Sequence, residues 1–314
     1  MIRSTRLGQM ALGLMALLAF AAPSLPAADM LYVTLDNDTI VSYNTTGNNG
    51  STIAASVATF ANTNLSTAYD LAFDSSGNLY AANYRGTYAK TISKFNAAGV
   101  YQSNIASNLD GPYGLAFDTS GNLYASNYNI NSISKFNASG TFLSEINSNL
   151  NGPAGLAFDS SGNLYAANYS GSTISKFNSA GGYVTNITST LSGPYGLAFD
   201  ISGNLYAANY DNNSISKFNA SGTFLSQITS NLDGPEGLAF DSSGNLYAAN
   251  YGNKTISKYD SSGTFLTSWS TGSANLFALA FKPVSVPEPS TYALAAIATG
   301  VMAAVARRRK ARKG

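Results

Sequence analysis

A phrase of eighteen residues returns along this chain almost unchanged. It reads GPYGLAFDTSGNLYASNY from Gly111, GPAGLAFDSSGNLYAANY from Gly152, GPYGLAFDISGNLYAANY from Gly193 and GPEGLAFDSSGNLYAANY from Gly234. The leucines of its LAF core stand at 71, 115, 156, 197, 238 and 279, spaced by 44 residues once and by 41 residues four times. A supersecondary unit copied this faithfully cannot bury an apolar face alone, so the copies must stack on a shared core. The 314 residues therefore count units rather than domains.

Each unit holds four short strand-like runs. LAFD is read as the first, NLYAANY as the second, ISKF as the third and TFLSEI, with its relatives, as the fourth. DSSGN separates the first two and NASG the last two; Asp and Asn open such turns, and Gly supplies the positive φ that closes them. In the second run Leu164, Ala166 and Asn168 alternate with Tyr165, Ala167 and Tyr169. Both faces are partly apolar, as they must be when each sheet packs between two neighbours.

A period of about 40 to 45 residues with four strands per unit predicts an all-β chain, a six-bladed β-propeller of four-stranded antiparallel blades. The ends support a closed ring. Met30 to Asn44 reads as a second and third strand with no LAF before it, and Leu279-Ala280-Phe281 is a sixth LAF with no NLY after it. Three strands from the N-terminus and one from the C-terminus are expected to complete one blade and leave no open edge. Two stretches exceed their counterparts, 85–91 by three residues and 45–67 by eight.

Composition removes several kinds of chemistry. The chain has no Cys, which excludes disulfides and thiolate metal sites, and no His, which removes the usual general base and the commonest metal ligand. Its formal charge of +1 hides an asymmetry: without the eight terminal cations and Glu288, nine basic residues face fifteen acidic ones. An acidic centre disfavours nucleic acid. No cofactor and no metal are expected.

The two ends differ from the repeats. Residues 1–28 carry Arg3 and Arg6, an apolar run from Met10 to Ala22 and the small residues Ala27 and Ala28, the pattern of a secretory signal peptide. The propeller is assigned to 29–282. Beyond it, 283–314 forms a linker with Pro287, Glu288 and Pro289, a short apolar helix expected over 291–306, and a basic tail over 307–314 that includes Arg307, Arg308 and Arg309. The fifteen-residue apolar run from Tyr292 to Ala306 spans ~22 Å as a helix, short of a ~30 Å hydrocarbon core, and the basic cluster predicts that this end stays cytoplasmic while the propeller is exported.

Candidate ligand-binding residues come from a position that varies where the surrounding copies are nearly identical. The residue between Pro and Gly of GPxG has six equivalents along the chain, Tyr69, Tyr113, Ala154, Tyr195, Glu236 and Phe277. These are expected just before the innermost strand, at the mouth of the central channel, where aromatics and a carboxylate either grip sugar rings or a peptide or simply plug the opening. The repeated Asp74, Asp118, Asp159, Asp200 and Asp241 suggest a calcium array at first sight, but a carboxylate opening a DxSGN turn is explained by hydrogen bonds to that turn. The repeated Lys94, Lys135, Lys176, Lys217 and Lys258 read as copies of one solvated position.

Over Met30 to Phe281 the repeats resemble the NHL family of β-propellers in their Pro-x-Gly, apolar strand ending in Asp, Gly turn, Tyr-containing strand and further strand ending in Phe. The family often has Asp where this chain has Asn83, Asn127, Asn168, Asn209 and Asn250, and the Asn-His-Leu signature is absent. The C-terminal order of Pro287-Glu288-Pro289, apolar run and arginine cluster resembles a PEP-CTERM sorting signal, also known as the ice-binding protein C-terminal domain. That resemblance implies a Gram-negative bacterium, processing by an exosortase and the export machinery, transient anchoring in the inner membrane by the C-terminal helix, and delivery to the cell surface or exopolysaccharide matrix. An ice-binding role fits poorly, since flat threonine-lined solenoids need repeats shorter than 41 residues.

The function expected is that of an exported, non-catalytic propeller that binds polysaccharide or protein. One alternative is a calcium-dependent lactonase or hydrolase similar to the gluconolactonase and SMP-30 group, for which Glu236 near Asp70 is the sole visible carboxylate pair and Glu145 lies on an outer strand. A purely structural or adhesive module is the other.

Overall fold

The computed structural model describes residues 29–45, 58–272 and 274–283. The signal peptide, the sorting segment with its expected helix, and most of the 45–67 stretch lie outside these residues. The described chain forms six four-stranded antiparallel sheets. The closing blade orders Leu276–Phe281, Met30–Leu35, Thr39–Asn44 and Ala58–Ala61 from the axis outward, and the others span 68–105, 112–146, 153–187, 194–228 and 235–270. Closure follows the expected three-plus-one pattern, with Leu31 opposite Phe281, Tyr32 opposite Ala280 and Val33 opposite Leu279.

The hairpins form because their turns satisfy themselves. Asp200 Oδ1 accepts from the amides of Ser202 and Asn204, its Oδ2 accepts from Asn204 Nδ2 at 2.8 Å, and Gly203 takes φ 79°. The same three bonds recur at Asp74, Asp118, Asp159 and Asp241, so in each blade both carboxylate oxygens are engaged by the turn.

Period-two alternation becomes inter-blade packing. In the strand Leu205–Asn209, Leu205 and Ala207 join the core shared with the preceding blade, while Tyr206 and Ala208 join the core shared with the next. The Tyr206 ring meets Phe240 of that next blade at 5.0 Å and 71°. Across the hairpin stands Lys217, and here the structure corrects the sequence reading. The repeated lysines are not simply solvated: Lys217 Nζ sits 4.9 Å over the Tyr206 ring and 3.4 Å from Asp200 Oδ2, and Lys258 is only 5% exposed. Each faces a neighbouring blade, so its stem packs on the ring while its ammonium is held by the turn carboxylate.

The asparagine that ends the second strand is a buried clamp. Asn209 Oδ1 accepts from Ser192 N at 3.2 Å, its Nδ2 donates to Ser214 and Ser216 Oγ, and Ser216 Oγ donates to Thr190 O. Asn83, Asn127, Asn168 and Asn250 repeat the arrangement, tying second strand, third strand and entry loop together. Asn209→Ala removes three hydrogen bonds, leaves the part-buried Ser192 amide without its acceptor and opens a void between the strands, and is expected to cost about 2 kcal/mol. Urea unfolding checks this; a loss under ~0.5 kcal/mol, the size of a neutral surface change, would show that the clamp is dispensable.

The innermost strand also differs from expectation. It starts at Pro, as in Pro194–Phe199, rather than at Leu, because Pro194 already pairs with Asn209 and the strand continues through a bulge before Leu197. The x residue of GPxG thus lies within the strand and not before it. The inner strands run side by side around the axis, so close that a Cβ on Gly237 would lie 2.7 Å from Phe277 O and 2.9 Å from Ala278 Cα. They run from the mouth, where x sits, to the opposite face, where the DSSGN turns lie. Phe281 ends its strand on that far face beside Leu31, and Lys282 N donates to Met30 O at 3.3 Å.

Candidate functional site at the channel mouth

The six inner strands bring all the x residues together. The Tyr69 ring lies 4.4 Å from Tyr113 and 4.3 Å from Phe277. Tyr113 and Tyr195 meet at 5.5 Å, and Tyr113 OH donates to Tyr195 OH at 2.9 Å, past the strand whose small Ala154 leaves them room. Tyr113 and Glu236 are each 6% exposed and Phe277 is 4% exposed. The rings pack against one another as an aromatic floor across the channel mouth, in which Tyr69 and Tyr195 stay part-exposed. Burial pushes the Tyr69 hydroxyl up to about 12 and raises Tyr113 and Tyr195 in the same direction.

Above this floor stands a second ring of aromatics that the sequence reading missed. Tyr84, Tyr128, Tyr169, Tyr210 and Tyr251 each follow a second strand, half-buried, with successive centroids 6.2, 6.4, 6.4 and 6.2 Å apart. Their hydroxyls reach around the collar in one sense, Tyr84 OH to Asn129 Oδ1, Tyr128 OH to Ser170 Oγ and Tyr169 OH to Asp211 Oδ1, at 3.3 to 3.4 Å. The next acceptor position is Gly252, with no side chain to receive Tyr210, and the closing blade places Asp36 where a sixth tyrosine would stand.

Charge around the collar is unequal. Its loops carry Asp36, Asp38, Asp110, Asp211 and Asp233 against Arg85, Lys90 and Lys254. Lys90 Nζ pairs with Asp110 at 3.1 Å, and the Asn129 amide together with this lysine holds Asp110 below the usual carboxylate range.

Between the floor residues and the inner strands opens a cavity of about 40 Å³, lined among others by Tyr69, Asp70, Tyr113, Tyr195, Glu236 and Phe277. Asp70 occupies the place of a GPxG glycine, and its two oxygens accept the amides of Leu71 and Leu115 at 2.8 Å each. Burial outweighs these bonds and pushes its carboxyl up to about 7. Burial alone raises Glu236 well above its ordinary value. The two acids do share one cavity, as a lactonase reading asks, but both Asp70 oxygens are committed to the backbone. Among the described residues no three acidic, His or Cys side chains gather as a metal site, and Glu145 is exposed on its outer strand. The sorting residues Pro287, Glu288, Pro289, Arg307, Arg308 and Arg309 lie outside the described residues.

Fold and mouth together define a six-bladed β-propeller with an aromatic floor at the channel mouth and a tyrosine collar. Residues 285–310 match the PEP-CTERM protein-sorting motif. The motif marks the chain for export and sorting, with recognition by exosortase and a C-terminal membrane anchor before processing. No helix among the described residues is long and apolar enough to cross a membrane. No curated protein matches the sequence. Among solved structures, the propeller is similar to a chain of a nidogen/laminin complex, at TM-score 0.71 and 18% identity over 82% of this chain and 99% of that one. It is also similar to a protein of unknown function from Bacteroides caccae, at 0.63 and 14% over 82% and 99%. The virginiamycin B lyase of Staphylococcus aureus aligns at 0.59 and 16% over 78% and 81%. At these identities the likeness is one of fold.

Proposed function

We propose that the exported propeller is a non-catalytic module, displayed at the cell surface or in the exopolysaccharide matrix, that binds polysaccharide on its tyrosine collar. The carrying observation is the collar itself: five half-buried rings around an aromatic floor form a shallow dish, suited to stacking on successive sugar rings. A catalytic reading finds less support. The two channel acids line a space of about 40 Å³, enough for water and too small for a lactone. A histidine-to-alanine variant of the S. aureus lyase is catalytically inactive, and this chain contains no histidine at all.

Two stacked rings are worth ~1–3 kcal/mol together, so Tyr128→Ala/Tyr169→Ala is expected to weaken binding of the exported protein to its host's exopolysaccharide roughly 10- to 100-fold. A glycan and peptide array identifies the preferred polymer. Hits confined to peptides, or turnover of a lactone panel abolished by Glu236→Gln, would replace this reading with the protein-binding or the hydrolase alternative.

A further inference from the structure

The four GPxG copies are so alike that their differences stand out, and the most costly difference is Glu236. It sits where the other blades carry Tyr69, Tyr113, Ala154, Tyr195 and Phe277. The residue is 94% shielded by the fold, and its carboxyl, with no hydrogen bond from a described residue, lines the cavity. Its surroundings are aromatic: it lies within electrostatic reach of the hydroxyls of Tyr69, Tyr113, Tyr195 and Tyr210. A buried carboxyl without a donor is a standing cost that repeat copying from its neighbours would remove.

The same sector is where the collar breaks. The chain of tyrosine hydroxyls ends at Tyr210 because Gly252 offers no acceptor, and beyond Tyr251 stands Asp36. Tyr195 lies 5.4 Å from Tyr210, and Phe277 lies 5.7 Å from Tyr251. Asp211 and Asp233 flank these rings, and both act electrostatically on the Tyr210 hydroxyl. Aromatic faces around a desolvated carboxyl, with further acids at the rim, are the chemistry that recognises an ammonium group.

We infer that this sector receives a protonated amine belonging to an amino-sugar residue of the bound polymer, with Glu236 as its buried acceptor. The inference rests on the polysaccharide reading above and names the sugar class. The cavity of about 40 Å³ takes an ammonium group and no ring, so the sugar rings stay on the collar while one amine enters. A wide dish above a narrow acidic slot fits a ring polymer better than a single extended lysine side chain.

The test compares a glucosamine hexamer, its fully N-acetylated counterpart and a lysine pentapeptide on the full exported chain by calorimetry. The glucosamine hexamer is expected to bind at least 10-fold tighter than the acetylated one. Glu236→Gln, which keeps the shape and removes the charge, is expected to erase that difference while leaving the acetylated hexamer's affinity unchanged. Glu236→Tyr, which restores the residue of two other copies, should do the same in a protein melting no lower than the parent. Equal affinity for the two hexamers, or equal loss of both on Glu236→Gln, overturns the amine slot and leaves the collar reading standing. Preference for the lysine peptide overturns the sugar assignment. Failure of either hexamer to bind, on a chain that an array shows to bind other glycans, also overturns it, whereas failure of every glycan removes the polysaccharide reading as well.

Discussion

A Gly196→Ala protein is expected to lose at least ~3 kcal/mol of stability, beyond the usual cost of overpacking. The methyl group would enter the backbone of the next blade, well inside contact with Glu236 O and 3.1 Å from Leu238 N. Neither atom belongs to a side chain that can rotate away. Because the inner strands close on themselves, a shift at one contact must be taken up by its neighbours, where Gly155 and Gly114 meet the same limit against Tyr195 and Ala154. Gly203 is the control within the same unit. A Cβ there meets nothing within 4 Å, and φ 79° is the sole penalty for Gly203→Ala, of order 1 kcal/mol. For a domain of this size 1 kcal/mol moves the melting temperature by about 2–4 °C, so the pair should separate by roughly 4–8 °C or more in a thermal melt. Equal melting of the two variants would refute the close-packed axis.

Stability is expected to fall as pH rises from about 4 to about 7. Asp70 has an ordinary value of 3.8 when unfolded and about 7 when folded, so the folded protein holds the proton more tightly. A group raised in this sense stabilises below its unfolded value, and that contribution is lost as pH climbs through the folded one. Three units correspond to ~4 kcal/mol as an upper bound, and the part-exposed position of Asp70 reduces this to about half, ~2 kcal/mol. Glu236 acts in the same direction. The turn carboxylates act oppositely: burial pushes Asp118, Asp159 and Asp200 up, but hydrogen bonds from Asn122, Asn163 and Asn204 outweigh it and hold them below the usual range. Their contribution is lost as pH falls below about 4, so maximal stability should lie on the acid side of neutral. Urea midpoints at pH 4.5, 6 and 7.5 read the slope directly. Asp70→Asn should flatten it, and an unchanged slope in that variant would assign it to other groups.

Much of this fold was legible because repetition states it six times over. The spacing of LAF, the split of one unit between the two ends and the Asp-Gly turns lead to blade number, closure and hairpins, since each rests on period or local turn chemistry. The site was legible only in part. That Tyr69, Tyr113, Tyr195, Glu236 and Phe277 converge follows from the position of x, but whether converging rings leave a hole depends on how closely the strands approach, which no spacing reveals. The collar went unseen for a different reason. Its tyrosines are constant from blade to blade, as scaffold residues are, and the last Tyr of NLYAANY reads as one more strand residue, as Tyr169 does. The useful signal was the absence of that tyrosine from the closing blade, where Asp36 follows Leu35. Lys217 was misjudged because exposure in a propeller is set by the neighbouring blade, not by the strand's own polarity.

The closing blade has a mechanical consequence. Met30 and Phe281 lie together on the face opposite the collar, so a chain tethered by its C-terminal segment holds the dish on the side away from the tether. Drag from a polymer gripped at the collar would then run lengthwise down Leu276–Phe281, in shear against Met30–Leu35. Strand pairs loaded in shear must break their hydrogen bonds together, whereas a pair pulled open from one end yields them in turn. The ring is thus sealed by the strand pair that would bear the load, and loaded in the direction in which that pair resists best.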